Sequence, residues 1–138
     1  MNEPFVADAS VSVAWVHPSQ ATDATGAMLE AVRNGADIHV PALWPLEVAN
    51  ALLVLRRRGK LSEDERREAL RYLQNLPSTI DHEMSSLAFG ALSGLADENT
   101  LSIYDACYLE LAQRLRLPLA CKDGPLRRAA QNCGVEVW

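Results

Sequence analysis

Short apolar runs alternate along this chain with longer stretches in which apolar and polar residues recur at helical spacing. The runs at residues 5–7, 37–40, 79–81, 118–121 and 135–137 predict strands. Helices are predicted over residues 11–16, 20–34, 43–57, 63–75, 84–96, 103–115 and 125–132. Breakers fall between them at His17-Pro18, Gly35, Pro41, Gly59, Pro77, Pro118 and Gly134. The second and fourth strands are short apolar-rich runs with a helical stretch on each side, which suits a parallel sheet. The β-α order implies a three-layer α/β fold with helices on both faces. A length of 138 residues fits one domain, residues 1–138, with a core of useful size. The pattern shows no internal repeat, linker or low-complexity segment.

Four acids interrupt or directly follow apolar runs: Asp8 in PFVAD, Glu47 in LWPLEVANALLVL, Asp105 in IYDACYLELA and Asp123 in PLACKD. A carboxylate in such a setting is partly desolvated, and a buried charge is costly unless something pairs with it. In parallel α/β sheets, ligands gather beyond the carboxyl ends of the strands. Asp8 follows the first strand and Asp123 lies just past the fourth, so topology alone sends both to that edge. Glu47 and Asp105 stand about one turn into their helices and reach the same edge if those helices start there. Asn50 lies three residues after Glu47, on the same face of an otherwise apolar helix. Oxygen ligands of this kind suit Mg²⁺ or Mn²⁺. Four that converge suggest a metal site for cutting phosphodiester bonds.

Each acid also has a plainer reading. Ser102-Ile103-Tyr104-Asp105 has capping-box spacing, as does Ser62-Glu63-Asp64-Glu65 on a charged, solvated face. Asp8, helped by Ser10, could cap the helix near Val11, and Asp123 the helix opened by Gly124-Pro125. Glu47 could be a buried acid paired with an arginine.

Net charge is −5, but without these four acids the balance is 14 acids against 13 bases. Overall acidity therefore does not exclude a polyanionic substrate, because local charge governs steering. The bases cluster at predicted helix ends, around 56–60, 66–71, 114–116 and 122–128. Cys107, Cys121 and Cys133 lack paired spacing and read as reduced core residues. His17, His39 and His82 form no metal motif, and there is no nucleophile triad, Walker loop or GxGxxG. The three tryptophans read as core or interface anchors. No apolar stretch approaches the roughly 20 residues that span a bilayer. MNEPFVAD does not resemble a signal peptide, so a cytoplasmic protein with no membrane association is expected.

VADASVSVAW, VPALWPLEVANALLVLRRRGKLS, LSIYDACYLELAQRLRLPLACKD and the closing GVEVW resemble the PIN domain of VapC-type toxins. The resemblance runs in order along nearly the whole chain and leaves only residues 78–100 generic. It implies a three-layer α/β/α PIN-like fold with a parallel sheet of about five strands. It implies a Mg²⁺- or Mn²⁺-dependent endoribonuclease with Asp8, Glu47, Asp105 and Asp123 as catalytic metal ligands. RNA would be the substrate, a VapB-type antitoxin the partner and a homodimer the usual assembly. Products would carry 5′-phosphate and 3′-hydroxyl ends. Ser10 is a supporting candidate, for a water carried by the metal or as part of a helix cap, and Asn50 is a second.

Two departures stand out. Cys121 replaces the usual Thr or Ser two residues before the last Asp, and a thiol is a poorer hydrogen-bond partner. Gly124-Pro125 replaces more polar residues and is expected to tilt the last helix. Two other readings compete. One is a PIN-like module that binds RNA or a partner without cutting. The other is a phospho-receiver, for which Asp81 would have to be the acceptor.

Overall fold

The computed structural model describes residues 3–138. Met1 and Asn2, the start of the MNEPFVAD segment read above, lie outside the described residues. The elements run β1 (Phe5–Ala7), α1 (Ala9–Val16), a 3₁₀ turn (Pro18–Gln20), α2 (Asp23–Arg33), β2 (Ile38–Pro41), α3 (Trp44–Arg57), α4 (Glu63–Gln74) and β3 (Ser78–Asp81). They continue as α5 (Met84–Leu87), a π-helical turn (Ala88–Leu92), α6 (Ser93–Asn99), α7 (Ile103–Leu115), β4 (Leu119–Ala120) and α8 (Gly124–Asn132).

All strand pairs are parallel, in the order β3-β2-β1-β4. The expected fifth strand is reduced to a single parallel bridge between Leu119 and Val137, so the sheet has four strands rather than five. Gly134 turns the chain out of α8 at φ 76° and brings Val137 beside Leu119.

Parallel strands need crossover helices, and these cover both faces. One layer holds α1, α2, α3 and α4, which pack on one another; the other holds α6, α7 and α8, with α7 across β1, β2 and β4. The central strands are apolar on both sides for that reason. Phe5, Val6, Ala7, Ile38, Val40, Leu119 and Ala120 are all buried. By contrast β3 is an edge strand with Ser78, Thr79 and Ile80 exposed.

The helix read as residues 84–96 forms and runs on to Asn99, with a π-helical turn around the fully exposed Phe89 joining α5 to α6. Thr100 then closes α6 at φ 55°, an uncommon conformation for a β-branched residue. That turn redirects the chain into α7.

Leu52 of α3 has no exposure and packs in the main core. Leu52→Ala is expected to cost about 3 kcal/mol, the usual scale for a buried leucine truncation. Urea unfolding of wild type and variant checks this.

Candidate functional site

Strand order places the site. The chain moves outward from β1 through β2 to β3, then crosses back to lay β4 on the other side of β1. The sheet therefore reverses between β1 and β4, and the crevice beyond their carboxyl ends is where such folds bind ligands. Asp8 is the residue after β1, and its N–H donates to Ala120 O of β4 at 3.1 Å. Asp123 opens α8, three residues past β4. Glu47 comes in the first turn of α3, which starts just after β2. Asp105 comes in the first turn of α7, from the opposite helical layer.

Asp8 is the most buried of the four, with 6% exposure. One oxygen, Oδ1, accepts from Val11 N–H at 3.0 Å and from the Ser10 hydroxyl at 2.7 Å. Burial pushes its carboxyl up from 3.8 to about 6. Those two hydrogen bonds oppose the shift, and the charges of Asp105 and Glu47 add to it. Half-buried Glu47 accepts from the Tyr108 hydroxyl at 2.7 Å through Oε1. Its carboxyl is raised by burial and by Asp105, with the Tyr108 bond pulling the other way. Asp105 is likewise raised, by burial and then by the charge of Asp123, against its contact with Ser102. Asp123 is exposed and accepts from Leu126 N–H at 2.9 Å through Oδ2.

The plainer capping readings are therefore realised in part. Asp8 and Asp123 do cap α1 and α8. Ser102 caps α7 by accepting Asp105 N–H at 3.0 Å. The reciprocal bond, which Glu65 makes to Ser62 N–H at 2.8 Å, has no counterpart from Asp105 among the described bonds. Capping uses only one oxygen. Among the described residues, Asp8 Oδ2, Glu47 Oε2 and Asp123 Oδ1 take no protein hydrogen bond, and none of the ion pairs involves any of the four acids. No fully enclosed side-chain oxygen or nitrogen lacks a partner, so these free oxygens reach solvent. The arginine expected to neutralise Glu47 under its plainer reading is not there. The acids perturb one another through their charges, Asp105 acting on both Asp8 and Glu47 and Asp123 on Asp105. Among the described residues no group of three or more His, Cys, Asp or Glu stands at metal-binding spacing.

Neighbouring residues hold the acids in place. The Ser10 hydroxyl accepts Lys122 N–H at 3.3 Å while donating to Asp8, which ties the β1–α1 turn to the β4–α8 turn. Ser12 donates to Asp8 O at 2.9 Å and accepts Trp44 Nε1–H at 2.8 Å, which seats the start of α3 against α1. Asn50 is exposed on α3, one turn beyond Glu47. Sequence reasoning missed Ser12, Trp44 and Tyr108. Tyr108 alone carried a usable signal, as a phenol one turn after Asp105 in an apolar helix.

Cys121 is buried, and burial pushes its thiol up to about 12, so it stays protonated. All three cysteines are free; Cys107 is buried like Cys121 and Cys133 is half-buried. Gly124-Pro125 falls in the first turn of α8 without disturbing its cap. Asp81 is engaged by Arg114 through two contacts of 2.9 Å, and that ion pair holds its carboxyl below the usual range, which leaves little for the phospho-receiver reading. A cleft of about 700 Å³ lies elsewhere, between Trp15, Glu65 and Tyr72. A smaller one of about 300 Å³ reaches Ser10 and runs between α1 and α3 past Val13, Ala51 and Val54. The perturbed carboxylates, not cleft size, mark the chemistry. Among the described residues no helix is long and apolar enough to cross a membrane.

Comparison with known proteins accords with this arrangement. The PIN domain model matches residues 5–132. Ribonuclease VapC3 of Mycobacterium tuberculosis is 39% identical over 92 residues, covering 67% of this chain and 64% of that protein, slightly under two thirds of its length. Ribonuclease VapC3 of Pyrobaculum aerophilum is 31% identical over 123 residues, covering 88% of this chain and 91% of that protein. Among solved structures, PAE2754 from P. aerophilum superposes with a TM-score of 0.72 at 20% identity, over 99% of this chain and 90% of that one. VapBC2 from Rickettsia felis, solved with a promoter DNA fragment, gives a TM-score of 0.66 at 12% identity, over 98% and 97%. At such identities the structural likeness speaks for the fold alone. With the family model spanning nearly all the described residues and a relative matched over nine-tenths of its own length, this chain belongs to the PIN domain family, in company with proteins named as VapC ribonucleases.

Proposed function

We propose that this chain is a divalent-cation-dependent endoribonuclease of the VapC type, the toxin of a type II toxin–antitoxin pair. One observation carries the reading. Four carboxylates stand around the β1/β4 switch point, three of them with one oxygen held and one free, and among the described residues no Lys or Arg forms an ion pair with them. Asp8, Glu47, Asp105 and Asp123 are the residues that would hold Mg²⁺ or Mn²⁺, since an all-oxygen donor set suits hard cations. When bound, the cation would supply an activated water and charge stabilisation for phosphodiester hydrolysis. Ser10 and the α1 cap hold Asp8 in place, and Asn50 lies where RNA could be contacted beyond Glu47. Cleavage by this route leaves 5′-phosphate and 3′-hydroxyl ends.

The partners follow from the same reading. The R. felis neighbour is a VapBC complex, which supports a VapB-type antitoxin for this chain. Leu46, Phe89, Ile103 and Tyr104 are exposed, two of them directly beside Asp105 and one beside Glu47. Apolar side chains so placed favour cover by an antitoxin helix or by the second subunit of a homodimer. An antitoxin arginine among the acids would exclude the cation as well as RNA. A cytoplasmic setting suits an RNA-cutting toxin.

A second reading, an RNA- or protein-binding module that does not cut, is favoured by the buried thiol of Cys121 where the family usually has Thr or Ser. One experiment separates the two. Purified protein is mixed with total RNA in Mg²⁺, Mn²⁺ or EDTA, and new ends are mapped by sequencing. The expected result is discrete 5′-phosphate ends with either metal and none in EDTA. Undiminished cleavage in EDTA would defeat the metal reading. RNA binding without new ends under any condition would establish the silent module instead.

A further inference from the structure

We infer that Tyr108 is a positioning residue for Glu47, holding one oxygen of that carboxylate so that the other stays free for a cation. This rests on the metal-site reading above and assigns a role that none of the acids fills. Tyr108 lies on α7 with 1% exposure, and its hydroxyl donates to Glu47 Oε1 at 2.7 Å across 61 residues of sequence. It is one helical turn after Asp105, so a single turn of α7 presents one acid and fixes another from the opposite helical layer.

The four acids differ in how they are restrained. Asp8 and Asp123 have short side chains pinned by the N–H groups of their own helices. Asp105 sits in the first turn of α7 beside its cap, Ser102. Glu47 has the longest side chain and accepts no bond from its own helix. Among the described contacts Tyr108 is its sole hydrogen-bond partner. Ordering a free glutamate side chain costs up to about 2 kcal/mol of rotamer entropy. Here that cost is met on folding rather than on cation binding. Partners of this kind commonly set metal affinity by about 10- to 100-fold.

The test is Mn²⁺ binding without RNA, followed by calorimetry or by the resonance of free Mn²⁺, for wild type, Tyr108→Phe, Glu47→Gln and the double variant. Tyr108→Phe should bind Mn²⁺ about 10-fold more weakly and melt close to wild type in EDTA. In the Glu47→Gln background it should change affinity no further, since two residues acting through one contact are not additive. Its RNA cleavage, if reduced, should recover at saturating Mn²⁺. Equal Mn²⁺ affinity in Tyr108→Phe and wild type would overturn the inference while leaving the metal site standing. So would a full additive loss in the double variant. Failure of wild type to bind Mn²⁺ would overturn both. Should Tyr108→Phe not fold, Mn²⁺ must still perturb near-ultraviolet tyrosine absorption in wild type and not in Glu47→Gln; a perturbation that survives in Glu47→Gln overturns the inference.

Discussion

Asp8→Asn is expected to lower RNA cleavage on the order of 10³-fold, the scale of losing a group that stabilises transition-state charge, and to make the metal-free protein more stable at neutral pH. The two effects have one cause. Asp8 is 6% exposed and its carboxyl is raised from 3.8 to about 6, first by burial and then by Asp105 and Glu47. The native state therefore holds the proton more tightly than the unfolded chain does. Below about pH 4 both states are protonated and there is no penalty. Between about pH 4 and 6 the unfolded chain ionises first and stability is lost as pH rises. Above about pH 6 the full cost, about 3 kcal/mol, is present. Asn keeps an oxygen for Val11 N–H and Ser10 and is as good a cap as Asp, though it forgoes the charge favoured at a helix N-terminus. A net gain of about 2 kcal/mol is expected in EDTA near pH 7, fading towards pH 4. Thermal melts across that range, beside a cleavage assay, check both halves. A variant that cuts RNA normally removes Asp8 from the site. One that is destabilised at neutral pH removes the proposed strain.

Saturating Mn²⁺ should stabilise the wild-type protein by about 3 kcal/mol at 100 times its dissociation constant, and the effect should depend on pH. Protons and cations compete for the same oxygens. With Asp8 raised to about 6, and Asp105 and Glu47 raised in the same direction, protons compete more strongly with a cation in mildly acidic solution. Mn²⁺ should therefore raise the melting temperature strongly at about pH 7.5 and little at about pH 5. Asp8→Asn should lose most of the rise at the higher pH. A Mn²⁺ shift equal at both values, or unchanged in that variant, would place the ion away from these acids.

Much of the fold was legible because local pattern and tertiary outcome agree. The strand Phe5–Ala7 is covered on both faces, so its apolar run is unbroken and easy to see, and in Ile38–Pro41 only the partly exposed His39 interrupts the run. The exceptions are local. The helix expected over residues 84–96 forms, but the π-helical turn within it was not legible. The last strand was read from Val135 and Val137, but only one bridge forms.

The candidate acids were legible in the sequence, and their connections were not. An acid beside an apolar run advertises itself, because burial of a charge is costly wherever it occurs. The sequence by itself therefore determined that Asp8, Glu47, Asp105 and Asp123 are unusual, and that Asp8 and Asp123 lie past the ends of strands. It also showed that capping could explain three of them. Only the tertiary structure showed that capping engages one oxygen of Asp8 and of Asp123 and leaves the other without a protein hydrogen bond among the described residues, because packing dictates what meets each oxygen. Only the structure paired Glu47 with Tyr108 and left the acids without a cationic partner among the described residues. Hydrogen bonds between residues 61 apart depend on how layers stack over the sheet, and no local pattern of apolar and polar positions encodes that distance.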